Sequence, residues 1–282
     1  MNEEKKSGAL PPEDYKEPVC PFVSDFYEGG PSVEPIPVGR FIEKLDELLY
    51  KKNDIEGARR HLDFWERAAK AGGDRRGLLT VENEMMGFFR QNGTKEEAYA
   101  AADTALGLLG ELGLADHVSG ATTYLNAATV YKTFGEPTKA VENYEKARGI
   151  YEIHLDKTDP RLAGLYNNYA LALCDLERFD EAEKMYFSAL EIVENDDDQA
   201  LERAITYLNL ADMYFEKLGE LNSIDYIEKY LAKAEAVFDG NVERNGYYAY
   251  VCEKSAPTFE YYGWFMAAKT LRERAAEIYD RA

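Results

Sequence analysis

Apolar and small residues recur along most of the chain at spacings of three and four, which is the spacing of one face of an α-helix. In one segment these residues are Tyr124, Ala127, Ala128 and Tyr131. Sustained alternation of apolar and polar residues, which would indicate a β-strand, does not occur between turn signals. The pattern therefore predicts an all-α chain of amphipathic helices joined by short turns.

The helical pattern repeats. The series Tyr124-x-Asn126-x-Ala128 returns 42 residues later from Tyr166, and 41 residues after that from Tyr207. Such internal periodicity is typical of solenoids built from stacked units. We predict six units of two helices each, at residues 39–74, 75–116, 117–158, 159–198, 199–242 and 243–282.

Turn and start signals lie where this scheme requires them. Gly93, Gly135 and Gly263 fall between the two helices of their units and predict left-handed helix ends. Asp159 followed by Pro160 predicts a helix start, with a carboxylate as N-cap and proline as the first helical residue. Pro257 lies inside a predicted first helix and should kink or shorten it.

The repeat resembles the tetratricopeptide repeat (TPR) family, which has aromatic and small residues at fixed places of each unit. The spacing of about 42 is similar to the longer variant found in kinesin light chains and in many bacterial repeat proteins. The resemblance covers about residues 39–281 and implies a right-handed superhelix of about six helix pairs. The two central units fill the family's places with Tyr124, Ala128, Tyr131, Ala140, Tyr144 and Ala147, and with Tyr166, Ala170, Leu173, Ala182, Tyr186 and Ala189.

The resemblance also implies a binding surface, because the first helices of such repeats line a concave groove. Asn126, Asn168 and Asn209 occupy one groove-facing repeat position. An asparagine offers a donor and an acceptor, so the three are candidates for holding the backbone of an extended peptide. The alternative is that asparagine at this position ties neighbouring helices together. Further candidate ligand contacts in the groove are Asn83, Arg90, Leu125, Lys132, Asn167, Leu208, Tyr250 and Lys254.

Residues 1–38 precede the repeats and contain seven prolines, which prevent a regular helix. The segment also contains several apolar residues. We expect an extended arm that packs on the first repeats. The alternative is that the arm lies in the protein's own groove and competes with a ligand.

Composition limits the classes of partner and the cellular compartment that we expect. The chain has 33 Lys and Arg residues against 53 Asp and Glu residues, a formal net charge of −20. That field repels phosphate backbones and anionic lipids, so we expect neither a nucleic acid nor a membrane as partner. Three widely spaced cysteines suit a reducing compartment, and the N-terminal residues have no apolar segment of a secretory signal. We expect a soluble cytoplasmic protein.

Catalytic signals are weak. Only three histidines occur, none in a triad-like setting, and phosphate-loop, dinucleotide and HExxH motifs are missing. The acidic run 194–198 lacks the glycine and glutamate of a calcium loop. We therefore predict no cofactor, no metal and a non-catalytic, bacterial-type adaptor that holds a peptide or protein partner. The alternatives are an intracellular peptide-sensing regulator and, less favoured, an enzyme with an unrecognised active site.

Overall fold

The computed structural model describes residues 33–194 and 196–281. Within these residues all regular structure is helical, in twelve α-helices that pack as consecutive antiparallel pairs. The all-α fold of about six helix pairs is thus confirmed. The described residues form two compact units, one that ends at His154 and one that begins at Leu155.

The N-terminal unit contains three helix pairs. Its first pair begins with a short helix that continues into a π-helical turn at Glu47–Lys51. The six helices are α1 (Val38–Asp46), α2 (Ile55–Gly72), α3 (Arg75–Asn92), α4 (Lys95–Leu112), α5 (Val118–Thr133) and α6 (Pro137–His154).

The C-terminal unit contains the other three pairs. A 3₁₀ turn at Asp197–Gln199 lies in the acidic run and leads directly into the next first helix. The six helices are α7 (Pro160–Cys174), α8 (Phe179–Val193), α9 (Ala200–Leu218), α10 (Glu220–Asp239), α11 (Gly246–Tyr261) and α12 (Phe265–Tyr279).

The small residues of the repeat lie where the helices of a pair cross. Ala98, Ala140 and Ala182 are completely buried, because a methyl group lets the two backbones approach closely. The aromatic side chains that follow one turn later fill the remaining space, and Tyr144 and Tyr186 have no exposed surface. Burial of such large side chains is the main stabilising contribution in each pair.

Within each unit, the first helices of neighbouring pairs pack against one another. Contacts join α3 to α5, α7 to α9, and α9 to α11. Among the described residues the second helices of neighbouring pairs have few mutual contacts, while α2, α4 and α8 pack on the first helix that follows them. The first helices therefore form the more closely packed side of each unit.

Most helix ends agree with the sequence. Pro160 is the first residue of α7, and the Asp159 carboxylate accepts a hydrogen bond from the Arg161 amide at 3.0 Å. Gly135 and Gly263 have the expected positive φ angles of 78° and 82°.

One expectation about helix ends is wrong. Gly93 is extended, with φ −124° and ψ −164°, because the chain turns at once into the Thr94 capping box that starts α4. Pro257 lies inside α11 and does not shorten it, since the helix continues to Tyr261; a kink at this residue stays a prediction.

The segment before α1 is extended and hydrogen-bonded to the turn between α2 and α3. The Glu34 amide donates to Gly72 O at 3.0 Å, and the Ile36 amide donates to the Asp74 carboxylate at 2.8 Å. Ile36 is buried beside this turn. The rest of the predicted arm, and with it the choice between packing on the repeats and lying in the groove, falls outside the described residues.

Candidate functional site

The predicted asparagines of the N-terminal unit form a closed hydrogen-bond group between two first helices. The Asn83 amide on α3 donates to the Thr123 hydroxyl on α5 at 3.1 Å. The Asn126 amide on α5 donates back to the Asn83 carbonyl at 2.9 Å. Asn126 is only 9% exposed. These side chains tie α3 to α5, as in the alternative interpretation of the repeated asparagine.

The equivalent hydrogen-bond group in the C-terminal unit is open, which means that one of its two bonds between the first helices is not formed. The Asn167 amide on α7 donates to the Thr206 hydroxyl on α9 at 2.9 Å. The Asn167 side-chain oxygen, however, is buried without a donor. Asn209 holds the repeat position of Asn126, yet its half-buried side chain makes no hydrogen bond within the described part of the chain. Its amide remains available to a ligand.

The other predicted contacts differ in accessibility. Leu125 and Leu208 are each 5% exposed and contribute to helix packing, so they present little surface to a ligand. Accessible surface is found at the half-buried Arg90, Lys132 and Asn168, at Lys254, and at the half-exposed Tyr250.

Tyr250 belongs to an aromatic group at the amino-terminal end of α11. Its ring stacks on Tyr247, with centroids 6.4 Å apart and planes 19° apart. The Tyr247 hydroxyl donates to the Glu202 carboxylate on α9. The Lys254 ammonium lies 5.7 Å from the Tyr250 ring centroid, which is the distance of a cation–π contact.

A second aromatic group lies at the other end of α11. The Tyr262 hydroxyl donates to the Asp212 carboxylate on α9 at 2.8 Å. Tyr261 packs edge-on against Tyr262 and against Phe215, at centroid distances of 5.0 and 5.7 Å. Burial raises the pKa of Asp212 to about 6, although the Tyr262 hydrogen bond opposes this shift.

Several titratable side chains of the described residues have packing roles. Among residues 33–194 and 196–281, no three His, Cys, Asp or Glu side chains are grouped to hold a metal ion. His61 Nε2 lies 2.9 Å from Phe41 O, and its ring stacks on Phe41, which is a packing role. Burial raises the pKa of Cys252 to about 11, so this thiol is a poor nucleophile at neutral pH. None of the described helices combines the length and apolar character needed to span a bilayer.

A comparison with protein families finds one match: residues 161–237 match the tetratricopeptide repeat family. This segment runs from α7 into α10 and so covers nearly all of two helix pairs. Residues 161–237 therefore carry tetratricopeptide repeats. Comparison with curated proteins finds no match.

Solved structures show the same TPR fold. BtubC (BKLC) from P. vanneervenii is 22% identical, with a TM-score of 0.55 over 82% of this chain and 91% of its own. A Podosopora anserina protein designated a kinesin light chain, with nearly identical TPR-like repeats, is 17% identical, with a TM-score of 0.53 over 72% of this chain and 95% of its own. At these identities the likeness shows the fold alone.

Sequence reasoning missed the pairs of tyrosine and carboxylate between neighbouring TPR units. Tyr247 and Glu202 are 45 residues apart, and Tyr262 and Asp212 are 50 residues apart. Both separations exceed the repeat period, so an alignment of units does not place the partners opposite one another. A search for acidic residues on one first helix and tyrosines on the next would have found them.

Proposed function

We propose that this protein is a non-catalytic adaptor that holds a peptide or protein segment along the first helices of its C-terminal unit. The TPR fold supports this proposal, since such repeats generally mediate interactions between proteins. The ligand would lie on the closely packed side formed by α7, α9 and α11.

The observation that carries the proposal is the open asparagine group of α7 and α9. Asn209 makes no hydrogen bond in the described structure, whereas the side-chain amide of the equivalent Asn126 donates to the side-chain oxygen of Asn83. A half-buried amide that still has accessible surface can pair with both the N–H and the C=O of a peptide backbone. Asn168, which occupies the same repeat position on α7 and is also half-buried, would extend the contact.

The remaining accessible candidates would flank this backbone contact. Tyr250 offers a half-exposed aromatic ring of the kind that contributes strongly to interfaces. Arg90 and Lys132 lie on α3 and α5 of the N-terminal unit, where the sequence also predicts ligand contacts. We also propose a cytoplasmic location, since the three cysteines are widely spaced in the sequence, which suits a reducing compartment.

The test is a selection of peptides on the full chain, followed by affinity measurement with fluorescently labelled peptides. Asn209→Ala should weaken binding about 3- to 10-fold, which corresponds to loss of one ordinary hydrogen bond. Asn126→Ala is the matched control, since it removes the same side chain at the same repeat position where the amide is already paired. Equal affinities of the wild type and Asn209→Ala would refute the asparagine contact.

A further inference from the structure

We propose that the surface between α9 and α11 recognises a segment with two cationic side chains, lysine or arginine, about four to five residues apart. This inference rests on the proposed function and adds the chemical class of the ligand. It is carried by two exposed aromatic groups, each joined to a carboxylate that forms no ion pair within residues 33–194 and 196–281.

The first group combines Glu202 with Tyr247 and Tyr250. Glu202 accepts a hydrogen bond from the Tyr247 hydroxyl, which leaves the negative charge in place. Tyr250 stacks beside Tyr247 and is 50% exposed. A cation placed here would contact an aromatic face and a carboxylate together.

The second group repeats this chemistry with Asp212, Tyr262 and Tyr261. Asp212 accepts from the Tyr262 hydroxyl at 2.8 Å, and Tyr261 is 67% exposed beside it. Tyr261 is held in place by edge contact with Phe215 on α9. The two groups therefore share both helices and the same composition.

The neighbouring cations on α9 pair with other groups. The Arg203 guanidinium on α9 donates to the carbonyls of Val193 and Glu194 at 2.9 and 2.8 Å. The Lys217 ammonium on α9 lies 2.7 Å from Asp180 and 3.0 Å from Glu183. Within the described residues Glu202 and Asp212 therefore have no ion pair, and the chain carries a net charge of −20.

Lys254 shows which ligand chemistry the surface attracts. It is the one cation in the α11 sequence, and its ammonium lies over the Tyr250 ring at 5.7 Å. The ring face thus already holds a positive group. A ligand guanidinium that binds at this place would displace Lys254, so the lysine competes with a cationic ligand.

Helix geometry sets the spacing of the two cations. Tyr250 and Tyr261 are eleven residues apart on α11, which places them about 16 Å apart on nearly the same helix face. Glu202 and Asp212 are ten residues apart on α9, which gives about 15 Å. An extended peptide covers these distances in about four to five residues.

The experiment compares Gly/Ser peptides that carry two arginines four residues apart, two glutamates at the same places, or one arginine. Affinities are measured by fluorescence anisotropy with the full chain. We expect the two-arginine peptide to bind at least about tenfold more tightly than the others, and to weaken as salt rises. A two-glutamate peptide that binds equally well or better would overturn the inference.

Variants locate the effect. Glu202→Gln combined with Asp212→Asn should weaken the two-arginine peptide about tenfold, because both amides keep an acceptor for the tyrosines and lose only the charge. Glu183→Gln is the matched control, since Glu183 also accepts from a tyrosine, Tyr214, but lies on α8 and pairs with Lys217.

Lys254→Gln gives an outcome of opposite sign for the two classes of ligand. It should strengthen binding of the two-arginine peptide about 2- to 5-fold, because a competing cation is removed. A loss of affinity would show instead that Lys254 contacts an anionic ligand and would refute the inference.

Failure of this inference is distinguishable from failure of the proposed function. If selected peptides bind and Asn209→Ala weakens them, but arginine gives no advantage, only the cationic class is wrong. If no peptide from the selection binds, the proposed function itself is wrong.

Discussion

The Asn167 amide donates to the Thr206 hydroxyl at 2.9 Å, and so joins two first helices whose residues are 39 positions apart in the chain. Both side chains are buried, Asn167 at 7% exposure and Thr206 at 0%. The N-terminal unit has the equivalent bond from Asn83 to Thr123. A polar bond at this place fixes the register of one TPR unit on the next.

Removing this bond from one side should destabilise the C-terminal unit. Thr206→Val keeps the shape of the side chain but removes the hydroxyl acceptor. One N–H of the buried Asn167 amide is then left without a hydrogen bond. We expect the free energy of unfolding to fall by about 1–3 kcal/mol. Urea unfolding of the single variants and of Thr206→Val combined with Asn167→Leu forms a double-mutant cycle. Additive effects would contradict a direct interaction.

The two equivalent asparagines Asn126 and Asn209 should differ in their effect on stability. Asn126→Ala leaves the Asn83 carbonyl without its donor and should lower the free energy of unfolding by about 1–2 kcal/mol. Asn209→Ala removes no hydrogen bond to another described residue and should change the free energy of unfolding by less than about 0.5 kcal/mol. Thermal unfolding of the two variants side by side measures the difference, and equal losses would mean that Asn209 is bonded in solution.

Glu82 should make stability depend on pH. Its side chain is 2% exposed, and the Lys70 ammonium is 3.9 Å away and also pairs with Glu66. Burial raises the pKa of Glu82 to about 7, with a smaller effect of the Glu66 charge, while Lys70 opposes the shift. The folded state therefore binds a proton that the unfolded chain releases above its usual pKa of about 4.5. Proton binding by Glu82 therefore stabilises the folded state at low pH, and this stabilisation is lost as the pH rises from about 4.5 to about 7.

Glu82→Gln should remove this decrease in stability with rising pH, because glutamine does not ionise. We expect the variant to be more stable than the wild type at pH 8, by up to about 3 kcal/mol, and to differ little at pH 4. Chemical unfolding at a series of pH values measures the difference, with the exposed Glu96→Gln as the control for a change of net charge. A Glu82→Gln variant that is less stable than the wild type at pH 8 would show that the ion pair with Lys70 dominates.

Asp74 should contribute strongly to the stability of the first repeats. Its carboxylate caps α3 through the Gly77 amide at 2.9 Å and also accepts from the Ile36 amide at 2.8 Å. Asp74→Ala removes both acceptors and leaves a buried N–H at Ile36, so we expect a loss of about 2–3 kcal/mol. Asp54→Ala is the control, since Asp54 caps α2 through Gly57 alone. Equal losses would show that the bond to Ile36 contributes nothing.

The sequence by itself determined the helices and their pairing. Spacings of three and four, buried alanines such as Ala140, and stop signals such as Gly135 act within one or two helical turns, so they are readable in a single chain. The period near 42 residues then places equivalent residues at equivalent positions of successive units.

Only the tertiary structure decided which of these equivalent residues are accessible. Asn126 and Asn209 occupy the same repeat position, yet Asn126 is paired with Asn83 while Asn209 has no hydrogen bond to another described residue. Glu202 and Tyr247 meet because α9 and α11 pack side by side. Burial and side-chain partners depend on how one helix lies against the next, and that is set by the packing of many side chains and not by the local pattern.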